Sequence, residues 1–127
     1  MSFERKRLGA WGELVSEKYL IDRGYSILTR NYRKPLGEID LIATKDDVLV
    51  FIEVKTRDSI HVNNFLPEES ITSIKKRKLR KVCEIYLAEH KIKPDKQWQI
   101  DVLSIILDKS TQKARINHIK NAVWDIR

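Results

Sequence analysis

At 127 residues the chain fits one compact domain, expected over 1–127, and is too short for two ordinary ones. Its 42% hydrophobic residues suffice for a core, its 34% charged residues alternate with apolar runs and form no disordered tract, and its one cysteine excludes an internal disulfide. With 25 Lys+Arg against 18 Asp+Glu, the net charge of +7 favours a polyanionic partner, because a basic surface gains free energy by displacing counterions from phosphates.

In chain order, Leu8 to Arg23 reads as a helix, with Leu8, Trp11, Leu14, Val15 and Leu20 recurring at three- and four-residue spacing and Gly24 as its stop. Arg5, Lys6 and Arg7 precede it without the apolar stretch of a signal peptide, and no segment approaches the ~20 apolar residues of a membrane span, so a cytoplasmic protein is expected. Tyr25 to Tyr32 is rich in aromatic and β-branched residues, a first strand ended by a turn at Lys34-Pro35-Leu36-Gly37. Two strands follow, Glu38 to Thr44 and Val48 to Thr56, joined by a two-residue turn at Asp46-Asp47. The pattern fails from Arg57 to Pro67, a loop. Pro67, Glu68 and Glu69 open a long helix to about His90, since proline fits a first turn and early acids suit the helix dipole. After a break at Lys93-Pro94-Asp95 come an apolar strand from Trp98 to Leu107, a turn from Asp108 to Gln112, and a last strand from Lys113 to Ile119. The order α-β-β-β-α-β-β describes an α/β fold: a mixed central sheet flanked by helices.

The central hairpin carries the chemistry. A two-residue turn at Asp46-Asp47 pairs residues whose numbers sum to 93, which sets Asp40 opposite Glu53 and Glu38 opposite Lys55. Alternation then gives one wholly apolar face, with Ile39, Leu41, Ala43, Val48, Val50, Ile52 and Val54. The other face holds Glu38, Asp40, Glu53 and Lys55, with Ile42 and Phe51 nearer the turn. Acids directly opposite one another repel, and a divalent cation with oxygen ligands is the usual compensation. Lys55, on the same side, is then suited to orient an attacking water and offset transition-state charge. The plainer reading is an amphipathic hairpin with a solvated face, on which Lys55 pairs with Glu38.

Gly12-Glu13 in the first helix, Gly37-Glu38-Ile39-Asp40, and Glu53-Val54-Lys55-Thr56-Arg57 together resemble the YraN-type family of bacterial proteins. That family is similar to archaeal Holliday-junction resolvases, within the PD-(D/E)XK nuclease superfamily. The close likeness covers about residues 9 to 57 and continues more weakly through Gln99-Ile100-Asp101-Val102. It implies a restriction-endonuclease-like core, Mg²⁺ or Mn²⁺ as cofactor, Asp40 and Glu53 as metal-binding acids, Lys55 as the motif lysine, and Glu13 as a helix-borne contributor to the metal site. Ile39 stands where the superfamily's name has proline. Fold alone does not carry activity.

Lys75-Lys76-Arg77-Lys78-Leu79-Arg80-Lys81 has six basic residues in seven. Ile71, Ile74, Leu79, Val82 and Tyr86 mark its core-facing stripe, so most of the charge faces outward. The cluster is either a solvated helix face or a phosphate-tracking surface that Arg30, Arg33, Lys34 and Arg57 extend. Asp101, inside an apolar strand, is expected to have a structural partner, because a lone buried carboxylate is costly. Cys83 is expected in the core. His61, His90 and His118 show no zinc spacing. There is no Walker loop, dinucleotide fingerprint or Ser/His/Asp arrangement. Two function classes follow: a metal-dependent DNA endonuclease, or a non-catalytic nucleic-acid-binding module on the same fold. A protein-interaction domain is the weaker third, since it leaves the hairpin acids without a task. A homodimer is left open.

Overall fold

In the computed structural model, residues 3–58, 73–108 and 110–122 are described. The elements are α1 (Phe3–Asp22), β1 (Ser26–Lys34), β2 (Gly37–Lys45), β3 (Val48–Asp58), α2 (Ser73–Glu89), β4 (Trp98–Asp108) and β5 (Lys113–Ile119). They form one five-stranded sheet in the order β1-β2-β3-β4-β5. β3 and β4 run parallel and the other neighbours antiparallel. A parallel pair needs a crossover, and α2 lies in it. The expected element order and mixed α/β class hold, consistent with a restriction-endonuclease-like core. β3 runs two residues past its expected end, since Arg57 and Asp58, expected to open the loop, pair with Ile106 and Leu107 of β4. The rest of that loop and the helix opening at Pro67 with Glu68 and Glu69, together with Ile71 and His61, lie outside the described residues.

Both sheet faces are covered. Under α2, Leu79, Val82, Cys83 and Tyr86 pack with Ile39, Ile42, Leu49, Phe51 and Ile100. On the opposite face, Leu20 of α1 and Tyr25 pack with Leu41, Ala43, Val50, Ile52 and Leu103. The polar face expected of the hairpin is therefore charged only at its open end. Nearer the turn, Ile42 and Phe51 are fully buried because α2 covers them. Ile39 departs from the expected apolar face and joins the α2-side cluster. Cys83 is core, as expected, and burial pushes its thiol's pKa up.

Of the expected α1 stripe only Leu20 is core: Leu8, Trp11 and Val15 are half-buried, and the buried line of α1 is Gly12, Ser16 and Leu20. Leu14 is 68% exposed and Ile74 63%. Both are exposed although their spacing suits a core stripe. Among the described residues no helix is long and apolar enough to cross a membrane.

The sheet contains one buried polar lock. Asp101 is fully buried, and its carboxylate accepts from His118 Nε2 at 2.7 Å, Gln99 Nε2 at 2.8 Å and the Asn121 backbone N–H at 2.8 Å. His118 Nδ1 is 3.2 Å from the Tyr19 hydroxyl, which joins α1 to the same chain of contacts. Asp101 thus has the structural partner its setting requires.

Candidate active site

Asp46 and Asp47 both adopt positive φ, 49° and 66°, the signature of a two-residue type I′ turn. The turn imposes the expected register: Lys45↔Val48, Thr44↔Leu49, Ala43↔Val50, Ile42↔Phe51 and Leu41↔Ile52. Regular pairing stops there, one step before Asp40 and Glu53. A continued ladder would give the Val54 N–H to the Ile39 carbonyl. That N–H donates instead to Asp40 Oδ2 at 2.7 Å. A side-chain oxygen has replaced a strand carbonyl, and β2 and β3 part at the acids.

Asp40 lies in the field of Glu53. Burial raises the Asp40 carboxyl to about 7, with the Glu53 charge next in size and Glu38 and Glu13 adding to it; the Val54 hydrogen bond opposes the rise. Burial also raises Glu53, while Lys55 and then Lys75 hold it down. Lys55 Nζ lies 3.2 Å from Glu53 Oε1, with both side chains about four-fifths buried at 19% and 20% exposure. Lys55 therefore pairs with Glu53 and not with Glu38, as the plainer reading had it. Glu38 is instead 3.2 Å from Arg33 Nε.

Glu13 reaches this field because α1 approaches β3 closely. A Cβ on Gly12 would stand 2.0 Å from Thr56 Oγ1 and 3.0 Å from Thr56 Cβ, so only glycine permits the approach. Ser16, buried beside it, satisfies its hydroxyl on the Gly12 carbonyl at 2.7 Å. Burial raises the Glu13 carboxyl, and Glu38 adds to that. At the far end of this contact, Arg30 Nε donates to Glu17 Oε1 at 2.8 Å and ties α1 to β1.

Among the described residues, no three Asp, Glu, His or Cys groups close around one point. The site consists of the adjacent pair Asp40 and Glu53, with Glu13 and Glu38 in its electrostatic neighbourhood. Its donor set is oxygen only, which suits Mg²⁺ or Mn²⁺ in preference to a soft metal. Two desolvated acids, one of them penalised further by the other's charge, are what a divalent cation relieves. The residues fit the group.

The basic residues divide. Lys75, Arg77 and Lys78 are exposed on α2 and Lys76 is half-buried. Lys75 also faces the acids, since its charge lowers Glu53. Lys34 Nζ is 2.6 Å from Glu89, which also accepts from the Tyr32 hydroxyl. Arg57 is half-buried and donates to the Thr56 carbonyl at 3.3 Å. Arg33 and Lys34 thus meet acids of the chain itself.

Residues 12–105 match Uncharacterised protein family UPF0102. The chain belongs to this YraN-type family. A UPF0102 protein of Roseiflexus castenholzii is 39% identical over 123 residues, spanning 97% of this chain and 98% of the relative. One from Syntrophomonas wolfei is 42% identical over 118 residues, 92% of this chain and 97% of the relative. A third, from Caldicellulosiruptor bescii, is 40% identical over 117 residues, 92% and 97% respectively. The matched segment contains Glu13, Asp40, Glu53 and Lys55 together.

Sequence reasoning misses Asn31 and the Asp101–His118 contact, and it gives Gly12 no physical task. Asn31 has φ 51° within β1, and no periodicity announces such a residue. The acid in an apolar strand does signal that Asp101 needs a partner, but not which one.

Proposed function

We propose that this family member is a Mg²⁺- or Mn²⁺-dependent DNA endonuclease acting in the cytoplasm, with branched or junction DNA as the first substrate class to test. The observation that carries the reading is the Asp40–Glu53 pair at the parting of β2 and β3, with Lys55 3.2 Å from Glu53. A fold that loses stability to repelling buried acids has reason to keep them when a cation and a phosphate complete the site.

Asp40 and Glu53 would hold the cation, Glu13 assisting from α1. Bound there, Mg²⁺ would supply charge neutralisation at the scissile phosphate and a lowered pKa for water. Lys55, 3.2 Å from Glu53, would orient the attacking water and offset the negative charge that grows on the phosphate in the transition state. Val54 fixes Asp40 through its N–H, so the carboxylate is oriented before substrate arrives. The exposed Lys75, Arg77 and Lys78 would track the phosphate backbone beside the acids, a contact that positions DNA without reading its sequence.

The test is incubation of purified protein with linear, flapped and four-way DNA in Mg²⁺, Mn²⁺ or EDTA. Metal-dependent cleavage that disappears in Asp40→Asn, Glu53→Gln and Lys55→Ala, with folding intact, is the expected result. Cleavage unchanged in all three would reveal a contaminating nuclease. The exposed basic face of α2 favours a second reading, a non-catalytic nucleic-acid-binding module, which binding without cleavage of any substrate would select.

A further inference from the structure

Asn31 lies in β1 between the pairs Arg30↔Leu41 and Tyr32↔Ile39, which places it across from Asp40. Its φ of 51° puts it in the left-handed region, where asparagine is among the few side chains tolerated at low cost. The pairing keeps its register on both sides of Asn31, so it is the left-handed backbone, and not an inserted residue, that turns this side chain from the direction alternation would give it. With its NH₂ group directed at the acids, the Asn31 nitrogen donates to Glu38 Oε1 at 3.2 Å and to Glu13 Oε1 at 3.3 Å. The reverse orientation would set the amide oxygen against acceptors alone. One carboxamide therefore spans two like-charged acids from different elements, one on α1 and one on β2.

Glu13 and Glu38 repel, and each raises the electrostatic cost of Asp40. Without a donor between them, Glu13 would swing toward solvent, since it is only half-buried and Leu14 beside it is exposed. The amide contributes no charge, so it holds both acids while leaving their negative field available to a cation. A lysine there would hold them equally well but cancel the field. The backbone conformation and the amide are separable requirements, because glycine satisfies the first without supplying the second.

Resting on the cation-site reading of Asp40 and Glu53, we infer that Asn31 is a positioning residue for that site: its amide aims Glu13 at Asp40 and Glu53 by bridging Glu13 to Glu38. Groups that orient metal ligands at second hand change metal affinity by about 10–100-fold when removed. The probe is Mn²⁺ alone, without nucleic acid, its free concentration followed by electron paramagnetic resonance. Asn31→Gly should fold and weaken Mn²⁺ binding about 10-fold. In a Glu13→Gln background the same change should have little further effect, since the residue through which the amide acts has already been altered. An unchanged affinity in Asn31→Gly, or an equal loss in both backgrounds, would overturn the inference. So would failure of Asn31→Gly to fold, which would make the amide's role structural. Mn²⁺ binding that Asp40→Asn abolishes and Asn31→Gly leaves intact removes Asn31 alone. No Mn²⁺ binding by the unaltered chain removes the metal site with it.

Discussion

Asp40→Asn should make the protein more stable, and the gain should depend on pH. Asn keeps an oxygen for the Val54 N–H, 2.7 Å from the present carboxylate, and removes the charge that burial and Glu53 penalise. Between the ordinary 3.8 and about 7, the folded chain holds a proton on Asp40 that the unfolded chain has lost. Folding there takes up a proton, so stability falls as pH rises through that window and levels off above it. The climb from 3.8 to about 7 corresponds to about 4 kcal/mol of lost stability at the plateau. The opposing Val54 hydrogen bond is already contained in that raised value, so the neutral amide gains about 4 kcal/mol at the plateau. For a chain of this length that is roughly 15 °C in Tm. Thermal melts of both proteins in EDTA should coincide at about pH 4 and separate progressively to about pH 8. Excess Mg²⁺ should close the gap from the other side, by stabilising the unaltered protein and not the variant. Equal Tm values at pH 8, or a variant less stable than its parent, would refute the claim that Asp40 is a strained acid.

Asp40→Ala should lose the same cation response but be about 1–3 kcal/mol less stable than Asp40→Asn, because it leaves the Val54 N–H without an acceptor; urea denaturation compares the two. Gly12→Ala should cost about 1–3 kcal/mol despite alanine's better helix propensity, and Thr56→Ala in the same chain should recover part of it, since the clash is with Thr56. Asp101→Ala should cost about 3–5 kcal/mol in denaturant melts by stranding His118, Gln99 and the Asn121 N–H. Reversing Lys75, Lys76 and Arg77 to Glu should weaken DNA binding about equally across sequences and flatten its salt dependence, by a log–log slope of ~0.9 for each phosphate that the variant no longer neutralises. Filter binding over a salt series reads both.

The parts of the fold that depend on local rules are legible in the sequence. A two-residue hairpin turn demands positive φ twice, which Asp46 and Asp47 tolerate, and alternation on either side then leaves one register. That register holds from Lys45↔Val48 to Leu41↔Ile52 and fails beyond, where a side chain replaces a carbonyl in the ladder. Periodicity has no symbol for that replacement, so alternation sets Ile39 on the wrong side. Leu14 and Ile74 are misplaced for a different reason: spacing identifies a helix stripe but not its width. His118 meets Asp101 because β4 and β5 pair Leu103 with His118, a register set by a turn rather than by either strand. Asn31 is invisible because a single left-handed residue inside a strand breaks no pattern of hydrophobicity.

These departures cluster. The β2–β3 hairpin is regular where both faces are apolar, with Ile42 and Phe51 at 0% exposure and Val50 and Leu49 at 2% and 3%. It becomes irregular at Asp40, where the hairpin ladder ends and the facing β1 residue is left-handed. On three sides the surroundings are rigid: the Gly12–Thr56 contact fixes α1, the α2 cluster fixes Ile39, and the Asp101–His118 lock fixes β4 to β5. Irregular backbone persists only where its surroundings over-determine it. A charged pair in a flexible hairpin would separate into solvent. Here the scaffold denies it that escape, and the strain is held at the place in the sheet where an oxygen-binding cation would relieve it.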